Sequence, residues 1–360
     1  MEKFKTKAYG ATGTIFIGKT LEPMEVEREK PKADEVLIEV LYCGVCHSDV
    51  HQVANDWKNT IYPCVPGHEI IGKITEMGSE ATNFKVGDIV GVGCMIDSCG
   101  QCKSCQGGDE QFCLGPNAMT MTYNGYWKPN GKEYNTFGGY SSHIVANEHF
   151  LINIPESMQI SAAAPILCAG VTTYAPLKQR GVKVGDKVGI IGIGGLGHMG
   201  IMLAKAMGAH VTAITTKEEK REAALELGAD AVLISDDEDA MTAQEVTFDF
   251  LLCTIPYEFD LNDYIPLLGP RGSIVTVGLL GPYEKPTDNL EMAKYARSAG
   301  ASIIGSVSET QEVIDFCADY NILPLVQLIN IQDINDAFDK IKDEEVRFRY
   351  VIDMNSLKLN

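Results

Sequence analysis

A chain of 360 residues, 45% hydrophobic and 22% charged, has the composition of a globular protein and the length for about two domains, each with its own core. The formal net charge of -19 repels phosphate backbones and anionic membranes, so nucleic-acid and membrane partners are not expected. The opening residues Met1-Glu2-Lys3-Phe4-Lys5 lack the apolar core of a signal peptide, the most apolar run (Val188 to Ala204) is interrupted by six glycines, and eleven cysteines in so long a chain point to a reducing, cytoplasmic setting with thiols used for metal.

Residues 5 to 90 place short apolar runs between glycine and proline turns: Val36-Leu37-Ile38-Glu39-Val40, Ile70-Ile71-Gly72-Lys73-Ile74 and Asp88-Ile89-Val90. These predict strands of a small β-barrel or sandwich. Among them stand Cys46-His47-Ser48-Asp49-Val50-His51 and Gly67-His68-Glu69. Cys46 and His68 offer a thiolate and an imidazole, both donors that zinc accepts. The neighbouring hydroxyl, carboxylate and second imidazole are groups that move protons. Taken alone, the pair also fits a buried thiol and a surface histidine.

Residues 93 to 117 break the strand pattern with Cys99-x2-Cys102-x2-Cys105-x7-Cys113. This spacing predicts a closed tetrathiolate zinc site that holds a loop in shape. An iron–sulfur run would bring its fourth cysteine after three residues, before a proline; here the gap is seven and Leu114 follows.

From about residue 160 strands and helices alternate, which predicts a parallel sheet. The strand Lys187 to Ile191 runs into Gly192-Ile193-Gly194-Gly195-Leu196-Gly197, then a helix through Met207 and a strand from His210 to Ile214. In that βαβ setting the glycines permit a tight turn and the close approach of a dinucleotide pyrophosphate to a helix N-terminus. Further strands are predicted at Phe248 to Leu252 and Ser273 to Val277. The alternation ends near residue 300, and the last sixty residues, closing on Arg347 to Asp353, are expected to return to the first domain.

Five motifs now stand in order: Gly44-Val45-Cys46-His47-Ser48-Asp49, Pro66-Gly67-His68-Glu69, the four cysteines, Leu167-Cys168-Ala169-Gly170-Val171-Thr172-Thr173-Tyr174, and the glycine run. With them the chain resembles the zinc-dependent medium-chain alcohol dehydrogenases, and within these the cinnamyl-alcohol-dehydrogenase-like, NADP-dependent aldehyde reductases. The resemblance implies an α/β protein. A GroES-like, β-rich catalytic domain would span 1–158 and 303–360, and a Rossmann doubly wound parallel-sheet domain 159–302. It implies two zinc ions per chain: a structural one on Cys99, Cys102, Cys105 and Cys113, and a catalytic one on Cys46, His68 and Cys168 with an open fourth place. Cys168 is a ligand by resemblance only, because it reads as a core thiol. Ser48 and His51 would form a proton relay by way of the cofactor ribose, Asp49 would orient His68, and Glu69 would lie beside the metal without being a standing ligand. Thr172 and Val277-Gly278-Leu279 match nicotinamide contacts, and Arg349 an arginine that meets the pyrophosphate. Trp57 and Tyr123 are candidates for the substrate pocket. Cys43, Cys64, Cys94, Cys253 and Cys317 are expected to be buried thiols.

Cofactor choice follows from the end of the second strand. An NAD site puts a carboxylate about 20 positions after the first glycine. Here Thr215, Thr216 and Lys217 stand there, with Lys220 and Arg221 a turn further. Hydroxyls and cations suit a 2′-phosphate, although Thr216-x-x-Glu219 also reads as a capping box that starts a helix. The expected activity is hydride transfer between NADP(H) and aldehydes or primary alcohols, aromatic or aliphatic, by a homodimer. The alternatives are an NAD-dependent secondary-alcohol or polyol dehydrogenase, a catalytically silent relative, and an iron–sulfur carrier.

Overall fold

The computed structural model describes residues 2–13, 21–131, 134–278, 281–342 and 349–359. The chain divides into two compact units, the first formed by Met1–Cys168 with Gly305–Asn360 and the second by Ala169–Ile304.

The first unit opens with an antiparallel pair, β1 (Lys3–Gly10) and β2 (Glu22–Glu29), followed by β3 (Glu35–Gly44), β4 (Ile70–Met77) and β5 (Ile89–Val92). Along β3 the side chains alternate, Val36, Ile38 and Val40 inward and Leu37 and Glu39 outward. This is the period of a strand with one face on a core. The short strands β6 (Met95–Asp97) and β7 (Thr120–Met121) flank the cysteine lobe, and β8 (His143–Asn147) and β9 (Leu151–Asn153) complete the first part.

The second unit holds β10 (Lys187–Ile191), β11 (His210–Thr215), β12 (Ala231–Ile234), β13 (Phe248–Cys253), β14 (Leu268–Thr276) and β15 (Ser298–Ala301). All its strand pairs are parallel, in the order β12-β11-β10-β13-β14-β15. That is the doubly wound arrangement in which order reverses beside the first strand, where such sheets bind nucleotides. Val188, Ile190 and Ile191 are buried, as a strand between two layers of helices requires.

The chain then returns to the first unit as β16 (Val326–Asn330) and β17 (Arg349–Asp353). They extend one seven-stranded sheet of order β16-β17-β3-β4-β5-β9, with β8 also on β3. The sequence suggested a closed barrel or sandwich of early strands; it did not show that strands from both ends of the chain share one sheet. Arg347 and Phe348, read as the start of the last strand, lie outside the described residues. Among the described residues no single helix is long and apolar enough to cross a membrane.

Candidate active site

Neighbouring strand ends build the first cluster. β3 ends at Gly44, whose N–H donates to the Glu69 carbonyl at 2.8 Å, and the helix His47–Ala54 starts just beyond Cys46. A side chain at residue 44 would collide with Glu69, its Cβ 1.9 Å from Oε2, so glycine is required. Opposite, β17 pairs with the same end of β3, Val351 beside Gly44, and brings in Arg349. Cys168 follows the short 3-10 helix Ala164–Leu167. Gly93, just past β5, leaves room for the Leu167 carbonyl.

Cys46, His68, Glu69 and Cys168, all buried, bring one ligand atom each to within 4.8 Å of one another. His68 Nε2 lies 3.2 Å from Cys168 Sγ. Tetrahedral zinc would set such an N···S edge at roughly 3.5 Å, so the donors fit the ion. The buried Asp49 carboxylate fixes the imidazole: it accepts from His68 Nδ1 at 3.1 Å, from the Gly67 N–H at 3.0 Å and from the Cys46 N–H at 3.0 Å. The proton therefore stays on Nδ1, and Nε2 is left for a metal.

The electrostatics of the cluster are divided: they favour a thiolate at Cys46 but protons on Cys168 and His68, which an ion would displace on binding. The Cys46 thiol is pulled well below its usual range, first by its hydrogen bond with Cys168. Cys168 is pushed up because that bond, and a second with Cys94, favour its protonated form. Burial works against a charged His68, yet Asp49 holds its pKa well above normal. Burial lifts Glu69 to about 7 against the pull of Arg349. The Glu69 carboxylate is held by Arg349 Nη2 in a buried ion pair, while Glu69 Oε2 and Arg349 Nε have no partner. Arg349, expected at a pyrophosphate, is thus engaged at the metal cluster.

Ser48 lies half-buried in the first turn of the helix and His51 one turn on. His51 Nδ1 bonds Asp56 Oδ2 at 2.7 Å, and its ring packs between His47, at 5.2 Å, and Trp57, at 5.6 Å. Asp56 escaped the sequence reading; its signal was Asn55, whose φ of 59° turns the chain back on the helix. Trp57 is half-buried against this relay candidate. Tyr123 is buried, its ring 5.6 Å from His68. Cys94 was read only as a core thiol; it is buried beside Cys168 and interacts with it.

In the cysteine lobe, Cys99 and Cys105 sulfurs lie 3.9 Å apart and Cys102 and Cys105 3.5 Å. These bracket the roughly 3.8 Å edge of a tetrahedral zinc tetrathiolate. The Leu114 N–H points at Cys102 (3.2 Å), Gly115 at Cys113 (3.4 Å) and Cys99 at Cys113 (3.5 Å). Amide bonds from Cys105 and Leu114 bring the Cys102 thiol down to about 6. Burial instead lifts the Cys105 thiol to about 12, so the amides favour charge on Cys102 rather than on every sulfur of the lobe.

In the second unit Gly192 turns at a φ of 85° and Gly197 packs so tightly that a Cβ would lie 1.9 Å from the Gly192 carbonyl. Around Gly194, the N-cap of the helix Gly195–Ala206 carrying Leu196, nothing lies within 4 Å of an added Cβ. One glycine closes the turn on the strand and another leaves the helix N-terminus open, the shape a pyrophosphate needs. Thr172 Oγ1 is buried without a partner. Gly278 packs on the Thr254 carbonyl beside the buried Val277, while Leu279 lies outside the described residues.

The expected capping box at Thr216 is absent. Lys217 is the N-cap of the 3-10 turn Glu218–Lys220 and caps with no side-chain bond. Its N–H is taken at 3.2 Å by the hydroxyl of the buried Thr215. Thr216 is exposed and Lys217 and Lys220 are half-buried. Arg221 is spent on Glu218 and the Val232 carbonyl.

Two family models match the chain: the alcohol dehydrogenase GroES-like domain over residues 32–156 and the zinc-binding dehydrogenase domain over 195–319. The chain is 44% identical to aldehyde reductase YahK of Escherichia coli (strain K12), covering 96% of this chain and 98% of that one. It is similar to the solved cinnamyl alcohol dehydrogenase SbCAD4 of Sorghum bicolor, with a TM-score of 0.91, 35% identity and 98% of each chain covered. A second similar structure, of Helicobacter pylori, is described as complexed with NADP(H); the TM-score is 0.89 and identity 36%, covering 98% of this chain and 99% of that one.

Proposed function

The chain belongs to the zinc-binding alcohol dehydrogenases of the cinnamyl-alcohol-dehydrogenase-like group, and from that premise we propose that it reduces aldehydes to primary alcohols with NADPH. The observation that carries the reading is the buried set of Cys46, His68 and Cys168: three donors for an ion that is tetrahedral, with Glu69 drawn off by Arg349 and a fourth place left for substrate. Zinc held there supplies a Lewis acid to the substrate oxygen. NADPH supplies the hydride to the carbonyl carbon.

The rest is the work of this chain's side chains. Asp49 keeps His68 in the tautomer that presents Nε2. Two thiolates offset the ion's charge. Ser48 gives the proton to the reacting oxygen and His51 replaces it from solvent, its ring held by the bond to Asp56. In the second unit Gly192, Gly194, Gly195, Leu196 and Gly197 form the pyrophosphate turn, and Thr172, Val277 and Gly278 receive the nicotinamide. NADP over NAD is supported by the absence of a carboxylate at the end of β11, where Thr215, Thr216, Lys217 and Lys220 stand. Trp57 and Tyr123 border the substrate. Four thiolate ligands in the lobe need a reducing compartment, which supports a cytoplasmic location. The open outer edge of β15 supports a homodimer.

The test is metal analysis of the purified protein together with a panel of aldehydes and alcohols assayed with each nicotinamide cofactor. About two zinc ions per chain and NADPH-dependent aldehyde reduction are expected. A single zinc, bound iron, or a preference for NADH with secondary alcohols overturns the reading.

A further inference from the structure

The Asp49 carboxylate has a fourth donor that the relay and the metal cluster do not call for. Tyr140, fully buried, gives its hydroxyl proton to Asp49 Oδ2 at 3.2 Å. Asp49 Oδ1 accepts from Gly67 and His68, and Oδ2 from Cys46 and Tyr140. Two of these donors belong to residues of the metal cluster, and a third, Gly67, precedes His68.

Tyr140 is itself locked to that segment. Its N–H donates to the Pro66 carbonyl at 3.0 Å and its carbonyl accepts from Tyr9 N–H at 2.8 Å. Its ring lies over Gly67, whose φ is 102° and where an added Cβ would come within 2.6 Å of Tyr140 Cδ1. On another side Phe338 packs at 6.4 Å. The ring cannot swing away, so the hydroxyl is a fixed donor and Asp49 a fixed acceptor.

We propose that Tyr140 is a positioning residue of the metal centre: its hydroxyl pins Asp49, and through Asp49 holds the His68 ring and the Cys46 main chain in the geometry that retains the ion. Without it Oδ2 loses one of the two hydrogen bonds that hold it, and the carboxylate is freer to rotate away from His68. Outer-shell partners typically govern 10–100-fold in metal affinity; Tyr140 acts one step further out, so the lower end applies.

The inference rests on the zinc reading, and one experiment separates the two. Tyr140→Phe keeps the ring packing, so a melting temperature near that of the parent is expected. Zinc release into a chromogenic chelator is followed for both proteins, and both are also prepared with cobalt. The expected result is a catalytic-site release phase about tenfold faster in the variant, with the tetrathiolate phase unchanged as an internal control, and a shifted cobalt absorption band. Equal catalytic-site release and equal cobalt spectra overturn the role of Tyr140. A tetrathiolate phase hastened to the same degree would show general loosening and overturn it too. If the parent itself shows only one release phase, the two-zinc reading fails before the variant is compared.

Discussion

The Arg349–Glu69 pair gives a prediction that does not depend on turnover. Both groups are buried and in direct contact. In Arg349→Met the apolar stem is kept and the counter-charge is lost, leaving a carboxylate in a site that already lifts its pKa to about 7 with the arginine present. Removing one member of a buried pair costs about 3–5 kcal/mol, whereas replacing both by apolar or neutral groups is often neutral. For a unit of this size about 4 kcal/mol corresponds to roughly 10 °C in the melting temperature.

The pH dependence has a definite sign. Glu69 has a folded pKa above its unfolded value, so its contribution is fully present below about 4.5 and is lost as pH rises through about 7. Without Arg349 the folded pKa rises further. The variant and its parent should therefore differ little near pH 5, where both hold the proton, and diverge above pH 7. The assay is thermal and urea unfolding of parent, Arg349→Met, Glu69→Gln and the double variant between pH 5 and 8.5. A rescue by Glu69→Gln in the Arg349→Met background is expected. Additive single effects, or a variant equally destabilised at pH 5 and 8.5, would refute the reasoning.

Cys168→Ser should abolish turnover and release one zinc with the fold retained, while Cys102→Ser should lower stability or solubility, because a closed tetrathiolate contributes to folding; metal content and circular dichroism decide. Ser48→Ala should cost about 10²–10⁴-fold in kcat, and His51→Gln or Asp56→Asn should cost less and move the pH–rate profile; equal activity of Ser48→Ala and parent would remove the relay. Thr215→Asp should weaken NADPH use by orders of magnitude, a 2′-phosphate at about 4 Å meeting roughly 4 kcal/mol of repulsion per charge pair before solvent screening, and leave NADH use unchanged or better. The ratio of catalytic efficiencies with the two cofactors reads it.

Much of this was legible because local pattern and local chemistry coincide. The cysteine lobe spans fifteen residues, and the glycine turn sits between a strand and a helix, so spacing alone exposes both. What depends on long-range pairing was not legible. Cys168 lies in an apolar run, so only the family resemblance pointed to it, and its proximity to His68, a hundred residues away, is what makes it a ligand candidate on physical grounds. Arg349 reaches Glu69 because β17 joins β3, a pairing that no periodicity announces. Asp56 and Tyr140 look like a surface carboxylate and a core aromatic until their hydrogen bonds are drawn. The Thr216 capping box failed for a local reason: the 3-10 turn starts one residue later, with Lys217 at its N-cap, so Thr216 falls outside the capping position.

The second unit is one uninterrupted stretch, Ala169–Ile304, which in sequence separates the two segments of the first. On a ribosome its six strands are all made once Ala301 has emerged, so it can fold while synthesis continues. The first unit cannot close then. The β3 edge at Tyr42–Gly44 waits for β17, and Glu69 lacks its counter-charge until residue 349 is added. Cys46, His68 and Cys168 are all translated long before that moment. The carboxylate beside the three donors thus meets its counter-charge only when the chain is nearly finished.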